Sequence, residues 1–170
     1  MVTSPGWDGY TALGATSVSA TTLLAVGVVM SWSVGREFTD GTMVGLFAVP
    51  PTLRSIAAAK MVATLSWAAL LGLGEAALLT TAGLLLGLGP AGAAGCFAVL
   101  VLIAVLLSAS VLPVMWAATR WRGYLAGIGF TLVILVITNL AAGFGLGSCI
   151  PWSIPIVWAA RRTEVGTPLL

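Results

Sequence analysis

Four long apolar runs, separated by short or polar connections, make up most of this 170-residue chain. They extend from about Leu13 to Val34, Met61 to Leu88, Ala94 to Ala118 and Gly123 to Gly143. Each holds on the order of 20 residues or more, and at about 1.5 Å rise per residue a helix of that length crosses a hydrocarbon layer of about 30 Å. The runs are apolar all round, without the single stripe of a surface helix, so lipid-facing and protein-facing positions do not separate by period. The pattern predicts an all-α integral membrane bundle of about four transmembrane helices, forming one transmembrane domain over residues 1–170. A fifth apolar stretch, Phe144 to Ala160, opens with glycines and contains Pro151 and Pro155. It reads as a broken or interfacial segment, because proline removes a backbone donor from any helix interior.

Between the first two runs lies a polar island, Gly35 to Lys60, with the sequence GREFTDGTMVGLFAVPPTLRSIAAAK. It carries Arg36, Glu37, Asp40, Arg54 and Lys60, five of the chain's twelve charged residues (seven basic and five acidic). Arg36-Glu37-Phe38 continues the first span out of the apolar layer. Asp40-Gly41-Thr42 reads as a turn, with Gly tolerating the tight backbone and Thr suited to capping a new helix. Met43 to Val49 is too short to span and is expected to lie in the membrane plane, with Met43, Leu46 and Phe47 on one face. Pro50-Pro51 ends that helix, and another is expected from about Thr52 through Lys60 into the second span.

Composition settles the solvent. The chain is 59% hydrophobic and 7% charged, with mean hydropathy +1.11, whereas a soluble domain is about 25% charged. So little polar surface implies lipid around the spans. A net charge of +2 and the lack of a Lys/Arg run argue against nucleic acid as a partner. The start, MVTSPGWDGY, lacks a basic leader, so the first run is expected as a retained span. No internal repeat or soluble domain is visible.

Orientation follows from Lys and Arg. The connections after the first and third runs hold Arg36, Arg54, Lys60, Arg120 and Arg122, while GPAGAAG after the second holds none. This alternation predicts the island in the cytoplasm and the N-terminus outside, in the cell membrane. Trp32, Trp116 and Trp121 then mark the inner interface, and Trp7, Trp152 and Trp158 the outer one. Arg161 and Arg162 disagree with it: either they tolerate the outer face, or Phe144–Ala160 crosses the membrane.

The chemistry the chain can support is narrow. It has no histidine, which removes a Ser-His hydrolase and most zinc sites. It also has no G-x-x-x-x-G-K-[ST] phosphate loop, so ATP hydrolysis, cofactors and metals are not expected in this chain. Two polar residues stand inside the spans. Glu75, about 22 Å along the helix from Lys60, is a candidate for a substrate path; the alternatives are a carboxyl at the outer interface or one packed against a neighbour's hydroxyl. Asn139 reaches similar depth and is a candidate hydrogen-bond partner for it, as are Thr80 and Thr138. Gly83-x-x-x-Gly87 and Gly123-x-x-x-Gly127 permit close helix approach, within the bundle or between copies. Cys96 and Cys149 fall near one face, and two buried small apolar residues are expected there in preference to a disulfide. Pro113 is expected to bend the third span.

The pattern G-R-E-F-x-D-G-T, then apolar residues, then L-F-A-x-P and I-A-x-A-K before a span resembles the permease subunits of ABC-2-type ATP-driven exporters. A second match, Arg122-Gly123-Tyr124-Leu125-Ala126-Gly127 leading to Pro151-Trp152-Ser153-Ile154-Pro155, is similar to that family's later span and the external segment after it. The resemblance covers nearly the whole chain, from Trp7 to Trp158. It implies that the island is a coupling segment docking on a separate ABC ATPase subunit, with Arg36, Glu37, Asp40, Gly41, Thr42, Pro50, Arg54 and Lys60 as the coupling residues. Arg54 stands one place after the family's usual basic position, and Pro51 replaces an apolar residue. It further implies a second permease copy or paralogue as partner, and ATP bound only on the partner subunit. The family has six spans, so the chain is similar to the middle of a permease without its flanking helices; a misplaced start, a truncated gene and a short member all fit. A different class of reading stays open: a non-transporting membrane protein that retains the docking segment.

Overall fold

The structure, a computed structural model, describes residues 6–42, 45 and 52–158. Five helices form the framework: α1 (Trp7–Thr39), α2 (Leu53–Leu85), α3 (Ala93–Ser110), α4 (Leu112–Arg120) and α5 (Tyr124–Gly143). Short 3₁₀ turns at Pro90–Gly92 and Gly147–Cys149 connect them, and no strand occurs among the described residues. Four segments are long and apolar enough to cross a membrane: Trp7–Thr39, Arg54–Leu85, Pro90–Arg120 and Tyr124–Ala141. The chain is an all-α membrane bundle. Helix α1 outruns its apolar run at both ends and α2 at its start, because i→i−4 hydrogen bonding continues past the apolar residues until a local stop ends it.

The stops are local. α1 ends at Asp40, whose N–H donates to the Arg36 carbonyl at 2.7 Å, and Gly41 then turns left-handed at φ +69°. α2 starts on Thr52, whose side chain accepts from the Ser55 N–H at 3.3 Å. It ends in a Schellman turn in which Gly87 adopts φ +85° and Leu88 N–H bonds the Gly83 carbonyl at 3.2 Å. Gly87 of the Gly83–Gly87 pair is therefore a helix cap and not a helix contact. α4 closes with the same hydrogen-bond pattern, but here Arg122 takes the left-handed position at φ +53°. The next residue, Gly123, is needed for another reason.

α1 is the central helix and packs against α2, α3, α4 and α5. Its contact with α5 is a zipper of small residues. Gly27 meets Thr131, Ser31 meets Gly127, and Gly35 meets Gly123 and Tyr124, each series spaced by four, as two antiparallel helices at closest approach require. A Cβ on Gly127 would lie 2.8 Å from the Ser31 Cβ; one on Gly35 would overlap the Tyr124 backbone. Gly123-x-x-x-Gly127 thus serves packing within the bundle. Contacts along these seams bring Arg36, Lys60, Arg120 and Arg122 to one end, called here the basic end. At the opposite end Trp7 lies against Gly83 and Gly92 and donates its indole N–H to the Gly89 carbonyl at 2.8 Å. Tyr10 beside it donates to the Leu79 carbonyl at 2.7 Å.

The third crossing is two helices, broken at Val111 two residues before Pro113. Val114 N–H turns back to the Val111 carbonyl at 2.9 Å, which leaves the Ser110 carbonyl without its usual helical donor. The Trp152 indole N–H fills that place at 2.8 Å. Trp152, expected at the outer interface, instead folds inward onto the core, and the stretch after α5 is broken by turns before a short helix at 154–158. The buried Ser153 hydroxyl lies within hydrogen-bonding distance of the Gly147 and Ile150 carbonyls, at 2.7 and 2.9 Å, so this irregular backbone meets its hydrogen-bonding needs inside the protein. Trp152→Phe keeps an aromatic side chain, though a smaller one, and removes the donor. It is expected to cost about 1–3 kcal/mol, read as a lower unfolding midpoint in nanodiscs; an unchanged midpoint would show that the carbonyl does not depend on the indole. Cys96 is buried and Cys149 exposed, and the two are not bridged.

Candidate functional site

At the basic end the last turns of α1 and the first turns of α2 enclose an open cleft of about 530 Å³. Trp32, Ser33, Arg36, Glu37, Thr42, Gly45 and Lys60 line it. Positions 33, 36 and 37 share one face of α1 by helical spacing, and Lys60 reaches across from α2. The Lys60 ammonium forms an ion pair with Glu37 and also donates to the Ser33 carbonyl at 2.6 Å. Both side chains of the pair are about a fifth exposed (22% and 21%), so the pair is only partly screened by solvent. Arg36 lies 4.6 Å above the Trp32 ring in a cation–π contact. Thr42 donates to the Glu37 carbonyl at a long 3.4 Å, and Gly45 N–H to the Thr42 carbonyl at 3.0 Å.

The structure thus brings together Arg36, Glu37, Thr42 and Lys60 of the expected coupling residues. Asp40 and Gly41 form the exposed turn next to the cleft. Arg54 is exposed on the first turn of α2 and does not line it. The in-plane helix expected over Met43–Val49 lies outside the described residues except for Gly45, and so does Pro50. Trp32, expected only as a marker of the inner interface, lines the cleft as well, and so does Ser33, which the sequence did not single out. The helical spacing of Trp32 to Arg36 was the available signal for the first; a main-chain acceptor such as the Ser33 carbonyl leaves no mark in a sequence.

Glu75 faces α1, where the hydroxyl of the buried Thr22 donates to its Oε2 at 3.5 Å. Asn139 is not its partner: that side chain is exposed and donates to the Leu135 carbonyl of its own helix at 2.8 Å. Thr80 and Thr138 are buried with no hydrogen-bond partner for their hydroxyls among the described residues. Glu75 therefore packs against a neighbour's hydroxyl.

A family model described as ABC-2 family transporter protein matches residues 3–138. The chain belongs to the ABC-2 transporter family. The match takes in α1 to α4, most of α5 and every residue lining the cleft. No curated protein and no solved structure shows a significant match. Membership makes this chain a transport permease, the membrane component of a transport system and not itself an enzyme; permeases of the ABC-2 family generally work with an ABC ATPase.

Proposed function

We propose that the chain is the permease subunit of an ATP-driven exporter in the cell membrane, with its N-terminus outside and its basic end in the cytoplasm. A separate ABC ATPase docks on the segment from Arg36 to Lys60, and a second permease copy or paralogue completes the pathway. ATP binds the partner subunit, and this chain carries no cofactor.

The observation behind this reading is the Lys60 clamp. Lys60 holds both Glu37 and the Ser33 carbonyl, so the two helices that enter and leave the island are tied together at its base. A push on the island then moves α1 and α2 as one body, and α1 is the helix that packs on every other one. Arg36, stacked on Trp32, and the exposed Arg54 present cationic groups to a partner from the same end.

Reversing the charge at Glu37 and Arg54 together tests the docking role. The Glu37→Lys, Arg54→Glu protein is expected to insert normally, because insertion follows span hydrophobicity, which the changes leave alone. It is expected to lose co-purification with the ATPase expressed beside it. Arg54→Glu alone, which leaves the Lys60 clamp intact, should weaken association without lowering thermal stability. Full ATPase recovery with the double variant would reduce the island to a connecting loop.

A further inference from the structure

The cleft at the basic end holds more hydrogen-bond donors than its own residues use. The Arg36 guanidinium, 4.6 Å over the Trp32 ring, makes no hydrogen bond or ion pair among the described residues. All the N–H donors of that guanidinium are therefore open. Lys60 gives donors to Glu37 and to the Ser33 carbonyl, and an ammonium has a third. The Trp32 indole N–H has no partner among the described residues either, and the residue is 52% exposed. Of the charged lining residues, Arg36 and Lys60 are cations and Glu37 is an anion, which leaves one positive charge uncompensated.

The surface below the cleft is apolar. Val29 stands seven residues before Arg36 on α1, and Trp67 seven after Lys60 on α2. Seven residues are close to two turns, so each shares the face of its cation and lies about 10 Å further from the basic end. Trp67 is 40% exposed and Val29 is partly exposed. Trp32, one turn from Arg36, is the residue type that collects at the headgroup level of a bilayer. A positive cleft thus stands at that level over an open apolar surface.

We propose that the cleft binds the headgroup of an anionic phospholipid, a phosphate diester with no cation of its own, and that the acyl chains lie over Val29 and Trp67. A phosphate diester carries one negative charge and its free oxygens only accept hydrogen bonds. It complements a lining with donors to spare and one uncompensated cation. The Arg36 fork can take two phosphate oxygens at once, with Lys60 and the indole N–H beside it. A soluble phosphate ester offers the same head chemistry but leaves the apolar surface uncovered; a lipid covers both. This binding needs neither an ATPase nor transport, so it and the docking role can fail separately.

The test uses the full chain, purified alone in a nonionic detergent, with short-chain phosphatidylglycerol, phosphatidylcholine of the same chains, and glycerol phosphate as probes. The readouts are the shift in unfolding midpoint and the half-saturating concentration. Phosphatidylglycerol is expected to raise the midpoint. The zwitterionic lipid and the chain-free phosphate are expected to do so little or not at all. Arg36→Gln changes an exposed side chain without hydrogen bonds among the described residues, so it should fold as the wild type and weaken phosphatidylglycerol about tenfold or more, the loss of a charge-assisted pair. Arg120→Gln removes the same charge from an exposed position at the same end that does not line the cleft, and should leave half-saturation unchanged. Equal weakening in the two variants would mean diffuse attraction and overturn the site. An equal response to phosphatidylcholine or to glycerol phosphate would overturn the anionic lipid as its occupant.

Discussion

Replacing Gly35 by Leu is expected to unfold the basic end of the bundle, at a cost of about 3 kcal/mol or more. The reason lies in what a side chain would meet. A Cβ at Gly35 overlaps the backbone N and Cα of Tyr124 and stands 2.7 Å from the Gly123 carbonyl carbon. Backbone atoms cannot swing aside as a side-chain tip can, so α1 and α5 must separate. Separation would also open Ser31 from Gly127 and Gly27 from Thr131, because one seam runs through all three pairs. Without a hydrophobic drive between helices in lipid, that close packing is much of what holds them. Gly129→Ala on α5 is the control: nothing lies within 4 Å of its Cβ position, so stability should be unchanged or slightly higher. The measurement is the unfolding midpoint and the monodisperse yield of each variant in the same detergent. Equal behaviour of the Gly35 and Gly129 variants would sink the zipper.

Lys60→Met is expected to cost about 1–3 kcal/mol and to uncouple α1 from α2 at the island. It removes the charge partner of Glu37 and the donor to the Ser33 carbonyl in one step. The figure stays below that of a fully buried pair because both side chains are partly exposed. Swapping the pair, Glu37→Lys with Lys60→Glu, restores the ion pair but leaves the Ser33 carbonyl without its donor. The swap should therefore recover part of the stability lost by either charge change alone, and a double-mutant cycle reads the size of that coupling. In the docking reading, Lys60→Met keeps ATPase association better than it keeps transport, since the binding surface survives while its tie to the helices is cut. Transport equal to wild type in Lys60→Met would remove the clamp from the mechanism.

Much of the architecture was legible in the residue pattern. Runs of some twenty apolar residues have no other home than a bilayer, and proline and glycine mark helix ends because their limits are local. The pairing of α1 with α2 through Lys60 was not legible. Lys60 and Glu37 are far apart in sequence, and many partners were equally open to each. The Gly123–Gly127 spacing announced a close approach but not to which helix; only the bundle shows Ser31 and Gly35 opposite it.

The sequence by itself determined that this is a helical membrane protein with most of its charge on the connections after the first and third spans, and its motifs placed it among ABC-2 permeases. Those properties follow from hydropathy, local backbone chemistry and short patterns, each contained within a few turns of chain. The tertiary structure alone decided that α1 is the central helix, that Glu75 meets Thr22 and not Asn139, and that Trp152 turns inward to the Ser110 carbonyl. Helices that are apolar all round carry no stripe to say which face is inside. The choice falls to shape, to where small residues let two backbones touch, and to which main-chain carbonyl a helix break leaves free.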